Sequence, residues 1–286
     1  MIGWLTDPLN QEFLRRALLE VGLISVASGA LGCWVIFYGV SYAAESLAHA
    51  LFPGLVLAAL AGVPLLVGGI PGMAIAAIAI VLVGRTPGIG RDAAVSVVVT
   101  ALFGLGALLA LSPASPPGIQ TLLFGDILAP SDTDLILSGV LAAAVVATLT
   151  VLHWRLLAVA FDRSTAGVLG SPPVLADAAV LMLLAGAVLV AAQGLGTLLA
   201  VAALVGPAAT ARLITRRLGA MMLASTALGI IAGIGGLYLS YYAGLAAGAS
   251  IAGLLVIGYL LTLAGTAIAS ILPRPSACPT PARETA

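Results

Sequence analysis

The chain has 286 residues, of which 62% are hydrophobic and only 8% charged, with a mean hydropathy of +1.21 and a formal net charge of zero. Soluble domains carry about 25% charged residues, so this composition excludes a soluble fold, and the absence of a basic excess excludes a nucleic-acid partner. All 11 basic residues are arginine; without lysine the chain has no Walker A phosphate loop, and an ATPase working with it must be another chain.

Aromatic residues make up only 5% of the chain and glycine reaches 34 residues, a balance suited to helices packed closely in lipid through small-residue faces. A membrane β-barrel would alternate apolar and polar residues over about ten positions, and no such pattern occurs. The expected fold is therefore an all-α transmembrane bundle. Apolar runs of about 20 residues predict spans near 17–39, 43–62, 65–84, 93–112, 134–153, 176–193, 195–214, 219–242 and 248–272. Their connections are short and rich in Gly, Pro and Ser, so residues 1–272 are expected to form a single membrane domain. Residues 273–286, with four prolines among small and polar residues, are expected to be a disordered tail.

Short cytoplasmic loops carry the positive excess. Arg85 with Arg91, Arg155 with Arg163, and Arg212 with Arg216 and Arg217 therefore mark three inside loops, and Arg274 puts the C-terminus inside. Arg15 and Arg16 conflict with this pattern. The expectation is nine spans, with an outside N-terminus and Met1–Arg16 along the membrane surface; the rival is eight spans with one early segment re-entrant.

An ionisable group at the bilayer centre costs about 2.5–3.5 kcal/mol on insertion scales, so such groups are functional candidates. Asp134 and Asp177 open their spans, where the helix dipole favours a carboxylate. Glu20, near the start of the first span, is expected to reach the headgroups, and His153 beside Trp154 reads as an interfacial residue without a role. Cys33 and Cys278 suggest neither a disulfide nor a metal site. What survives is Glu45 and His49 within Tyr42–Gly54. At i and i+4 their side chains share one helical face, about 5–6 Å apart at Cβ. A carboxylate and an imidazole suit Zn²⁺, Mn²⁺ or Fe²⁺ better than Ca²⁺ or Mg²⁺, and a two-ligand set suits transient binding rather than a closed structural site. The alternative is a buried Glu–His hydrogen bond between packed helices. Pro53-Gly54 a few residues on either frees carbonyls along a cavity or simply kinks the helix.

From about Leu14 to Leu261 the chain resembles the permease subunits of bacterial ATP-binding-cassette importers for zinc, manganese and ferrous iron. Glu45, His49, Pro53 and Gly54 resemble that family's acidic-x-x-x-His…Pro-Gly stretch, with Glu45 where Asp is usual and Ala48 where Ser usually precedes the histidine. Leu122-Leu123-Phe124-Gly125-Asp126-Ile127-Leu128 is similar to its Leu-Phe-Gly segment. Phe161, Asp162, Ala166 and Gly170 resemble the short cytoplasmic helix that docks into the ATPase. Pro207-Ala208-Ala209-Thr210-Ala211-Arg212 and Leu239-Ser240-Tyr241-Tyr242 follow in order, while Gly244, Ala246 and Ala247 replace the usual Asp, Pro and Ser.

The resemblance implies a permease in the bacterial cytoplasmic membrane that itself catalyses no bond chemistry. Its expected partners are two ABC ATPase subunits, an extracytoplasmic metal-binding protein, and a second permease copy or paralogue. Zn²⁺, Mn²⁺ or Fe²⁺ would be cargo held by Glu45 and His49, with no permanently bound cofactor, and Pro53, Gly54 and Pro207 would line the pathway or pack beside it. A proton-coupled metal transporter and a permease for an organic metal complex are the rival readings. An intramembrane enzyme finds no support, because the chain contains neither His-Glu-x-x-His nor Gly-x-Ser-x-Gly.

Overall fold

The computed structural model describes residues 10–84, 86, 91–113, 127–128, 130–168 and 170–271. The tail from 273, the string Leu122–Asp126 and Arg85 lie outside the described residues. Among the described residues there is no strand. The helices are α1 (Glu12–Phe37), α2 (Ser41–Ala50), α3 (Phe52–Ala61), α4 (Leu65–Gly84), α5 (Arg91–Ala110), α6 (Asp132–Val151), α7 (His153–Phe161), α8 (Arg163–Val168), α9 (Pro173–Leu195), α10 (Thr197–Ile214), α11 (Leu218–Ala243) and α12 (Ala247–Ile271).

Seven helical stretches are long and apolar enough to cross a membrane, one of them formed by α2 and α3 together over Ser41–Ala61. Shorter apolar stretches at Leu65–Ile80 in α4 and Leu199–Ile214 in α10 bring the apolar segments among the described residues to nine. Each coincides with an expected span, because in lipid the backbone's polar groups must be satisfied within the helix itself.

Two local expectations are corrected. Residues from Glu12 to Arg16 continue α1 instead of lying apart from it. Arg16 explains why: its guanidinium donates to Glu12 Oε1 at 3.1 Å and to Asp132 Oδ1 at 2.7 Å, tying the start of α1 to the start of α6. Asp134 does cap α6, in a reciprocal box with Ser131. Asp177 does not cap α9, whose N-cap is Pro172; its carboxylate pairs with Arg163 and holds α8 against the start of α9.

α1 is the central element, packed by α6, α9, α10 and α11. Lipid tails are as apolar as leucine, so helices in a membrane associate through close van der Waals fit, which small residues permit. A Cβ at Gly32 would lie 2.0 Å from the Leu204 carbonyl oxygen of α10, and one at Gly29 would lie 2.7 Å from the Thr226 Cα of α11. Backbone meets backbone at both crossings. Gly22, on the same helix, has nothing within 4 Å of that position.

These neighbours on one helix give a controlled test. Gly32→Ala must push α1 and α10 apart and should lower stability by about 1–3 kcal/mol, the usual cost of overpacking. Gly22→Ala should leave stability unchanged or raise it by up to about 1 kcal/mol through helix propensity. Thermal melts of the detergent-solubilised variants measure both, and equal melting temperatures would refute the packing account.

Candidate functional site

Gly39, at φ +68°, reverses the chain after α1: its N–H donates to the Ile36 carbonyl and the Val40 N–H reaches the Val35 carbonyl. Only glycine takes this left-handed conformation cheaply. α2 therefore starts beside the end of α1 and runs parallel to α5. Tyr42 Oη and Ser96 Oγ of α5 share a hydrogen bond at 2.6 Å, the His49 ring meets Phe103 edge-on at 5.0 Å, and Gly106 abuts Phe52 and Pro53.

The expected span 43–62 is interrupted at Leu51, where α2 gives way to α3. Pro53 has no N–H to offer the His49 carbonyl one turn back. Gly54 brings α3 against α4, since a Cβ there would lie 2.3 Å from the Gly68 carbonyl oxygen, and one at Gly68 would lie 2.0 Å from the Gly54 carbonyl oxygen. The Pro53-Gly54 pair thus packs α3 tightly between α4 and α5. Pro207, buried inside α10, packs near Ser25 of α1 and Gly229 of α11.

Glu45 is exposed on the outer surface of the chain, and His49 is half-buried. The two residues sit on one face of α2 but form no hydrogen bond with each other, so the buried Glu–His bond considered as an alternative does not occur. His49 Nδ1 is turned inward, buried and unpartnered. Among the described residues no group of three or more His, Cys, Asp or Glu side chains could hold a metal ion. A single chain therefore presents two donors at this face.

Glu20 corrects the expectation of a headgroup position. It is 1% exposed, with its carboxylate against α9, where Oε1 would lie 2.6 Å from a Cβ at Gly194. No sequence signal links Glu20 to Gly194; the absent side chain at 194 makes the room, and only the fold brings the two together. His153 is likewise no isolated interfacial residue, because its ring stands edge-on between Trp34 and Trp154 at 5.7 and 5.4 Å.

The segment from Phe161 to Gly170 forms a short helical corner at the end of the bundle where α1 terminates. Tyr38 Oη donates to the Leu156 carbonyl at 3.0 Å, Phe37 meets Phe161 edge-on at 6.3 Å, and the Arg212 guanidinium lies 5.5 Å from the centroid of the Phe37 ring. Phe161 is 76% exposed. Asp162 starts α8: its carboxylate accepts from the hydroxyls of Ser164 and Thr165 at 2.6 and 2.5 Å, and from their N–H groups at 2.9 and 3.3 Å. These bonds, the two hydroxyls foremost, hold its carboxyl well below the usual carboxylate range. Ala166 faces inward, buried against the bundle, and Gly170 ends the corner at φ +77°. Of the four residues expected to form one docking element, Phe161 and Asp162 are at the surface while Ala166 anchors it.

A group whose pKa is depressed in the folded chain stabilises it above the unfolded value, near 3.9 for Asp, and loses that contribution as pH falls through the folded value. Amide protection at Ser164 and Thr165 should therefore be constant from about pH 8 to pH 5. Asp162→Ala should abolish that protection across the same range. Hydrogen exchange monitored by mass spectrometry on peptides covering α8 reads both, and undiminished protection in the variant would show that the cap is dispensable.

The fold and these sites define a polytopic, all-α membrane protein. The chain belongs to the family described as the ABC 3 transport family, whose model matches residues 10–266. It is 30% identical over 264 residues to a probable iron transport system membrane protein of Haemophilus influenzae, covering 92% of this chain and 97% of that one. It is 32% identical over 258 residues to the manganese transport system membrane protein MntC of Halalkalibacterium halodurans, covering 90% and 87%. The solved structure of PsaBC from Streptococcus pneumoniae in complex with Fab superposes with a TM-score of 0.84 at 30% identity, covering 92% of this chain and 95% of that one.

Proposed function

We propose that this chain is the membrane-spanning permease subunit of an ATP-driven importer for a divalent transition-metal ion: manganese, zinc or ferrous iron. Iron and manganese are the cargoes in the names of the similar proteins. The observation that carries the proposal is the exposed carboxylate of Glu45 beside His49 within an apolar span. At 1.5 Å per residue, His49 lies about 12 Å along a span of about 30 Å, too deep for a charged neighbour to face lipid. That face of α2 must therefore meet protein or water. A second permease copy or paralogue provides the cover and raises the donor count from two to four, two carboxylates and two imidazoles, which suits a borderline divalent ion.

Arginine-bearing loops orient the bundle with the α7–α8 corner and the C-terminus in the cytoplasm. Two ATPase chains dock there on the corner at Phe161 and Asp162, and an extracytoplasmic metal-binding protein delivers the ion at the opposite end. The chain performs no bond chemistry. ATP binding and hydrolysis in the partner subunits alternate the side from which the Glu45–His49 face is reached, and a four-donor site split between two subunits can release its ion when the two faces part, as a site closed within one chain cannot.

Replacing Glu45 or His49 by Ala should reduce Mn²⁺ and Zn²⁺ uptake by about 100-fold or more, beyond the 10–100-fold typical for loss of a mere supporting partner. Proteoliposomes containing the complete complex, matched for permease content, measure this with radioactive ions. Wild-type uptake by the Glu45→Ala, His49→Ala double variant would end the proposal.

The docking corner has its own test. Truncating an exposed aromatic anchor commonly costs about 2 kcal/mol or more of binding energy, so Phe161→Ala should weaken co-purification of the ATPase by at least about tenfold. Undiminished capture of the ATPase with full transport activity would place its docking surface elsewhere.

A further inference from the structure

Helical hydroxyls in this bundle mostly return to the backbone one turn earlier. Ser28 donates to the Ile24 carbonyl at 2.5 Å, Thr210 to Gly206 at 2.9 Å, Ser250 to Ala246 at 3.1 Å and Thr262 to Gly258 at 2.7 Å. Such a bond satisfies a hydroxyl that has no other use. Ser46 sits inside α2 with the Tyr42 carbonyl at the same offset, yet its Oγ, like the hydroxyls of Ser138, Thr197 and Ser225, is buried and makes no hydrogen bond.

The nearest buried polar group without a partner in the sequence is His49 Nδ1, on the same helix. Residues i and i+3 stand side by side, about 5–6 Å apart at Cβ, so the two unpartnered atoms belong to neighbouring side chains. They are complementary: a hydroxyl oxygen accepts and an imidazole Nδ1–H donates. Leaving both unmade would cost roughly 1–3 kcal/mol for each buried group. Phe103, edge-on to the imidazole at 5.0 Å, restrains the plane of the ring but offers Nδ1 no acceptor.

We propose that Ser46 is a positioning residue for His49: its Oγ accepts from Nδ1–H through one buried water, and so leaves the Nε2 lone pair available to the transported ion. The inference rests on the reading of Glu45 and His49 as the ion's ligands. A neutral imidazole carries its proton on one nitrogen only, and the partner of that nitrogen decides which one can ligate. Metal-bound histidines generally have such a partner, which fixes both tautomer and ring orientation. With the Nδ1 proton accepted through that water, the hydroxyl hydrogen of Ser46 remains free to donate, so neither buried atom need stay unpartnered.

The chain contains only two histidines, so ¹⁵N-histidine labelling of the assembled transporter gives two ring signals, and His153→Phe assigns them. Without metal, wild-type His49 should be the Nδ1–H tautomer. Ser46→Ala should move it towards Nε2–H and raise the KM for Mn²⁺ uptake by about tenfold with little change in maximal rate. Ser46→Thr, which keeps the hydroxyl, should restore both. An Nε2–H tautomer in the wild type overturns the proposal even if Ser46→Ala fails to assemble. It is also overturned if Ser46→Ala keeps the Nδ1–H tautomer, or if it shifts the tautomer and leaves KM unchanged. Failure of the underlying reading looks different: there, His49→Ala itself would transport Mn²⁺ at the wild-type rate.

Discussion

Backbone contact along α1 is the constraint on which the rest of the bundle depends. A soluble core can tolerate a loose helix crossing because water drives the apolar faces together, but in lipid that drive is absent and close fit has to supply the attraction. Gly32 against the Leu204 carbonyl and Gly29 against Thr226 place α10 and α11 at backbone distance from α1. The remaining contacts are laid around that axis. The same logic recurs at a second centre, where Gly54 and Gly68 bring α3 and α4 together. His49 lies just before this second crossing, so a position in the middle of an apolar span is held by elements that have almost no freedom to shift laterally.

That rigidity bears on the chemistry proposed for α2. An ion passing through the membrane must exchange part of its hydration shell for protein donors and then leave them again. A site with four fixed donors from one chain would be a structural trap. In the proposed complex, two donors on an exposed face are completed by a second subunit, which would make ligation a property of the interface. Glu45 has a longer arm than the aspartate usual in the resembling family, so under the proposed function its carboxylate would tolerate more change across that interface than His49, whose ring packs against Phe103.

Much of the fold was legible because lipid imposes a one-dimensional rule: each crossing needs about 20 apolar residues in a helix, and among the described residues seven such stretches and two shorter apolar ones fall on the runs that stand out in the sequence. The capping of α6 by Asp134 was also readable, since a cap is a local matter of adjacent residues. The corrections all depend on contacts between distant parts of the chain. Glu20 was misplaced because its burial depends on the missing side chain at Gly194. Asp177 resembled a dipole-stabilised start of a helix, but Arg163 on another helix claims it. At α2 the spacing of Glu45 and His49 was plain in the sequence, whereas the exposure of one and the partial burial of the other depend on which helices cover that face.

Under the proposed function, the packing at the end of α1 offers a route from the ATPase to the ion. The α7–α8 corner touches the end of α1 at three places: Tyr38 on the Leu156 carbonyl, Phe37 against Phe161, and Trp34 against His153. Only the turn at Gly39 separates those α1 residues from the first turn of α2. Close-packed interiors pass displacement on instead of absorbing it, so on the proposed reading movement of the corner by a docked ATPase would be delivered to the base of the helix that carries Glu45 and His49. α1 itself is pinned at its far end by Arg16 to α6. An anchored α1 would then be the fixed element along which such a displacement passes, ending under the proposed function at the face of α2 that carries Glu45 and His49.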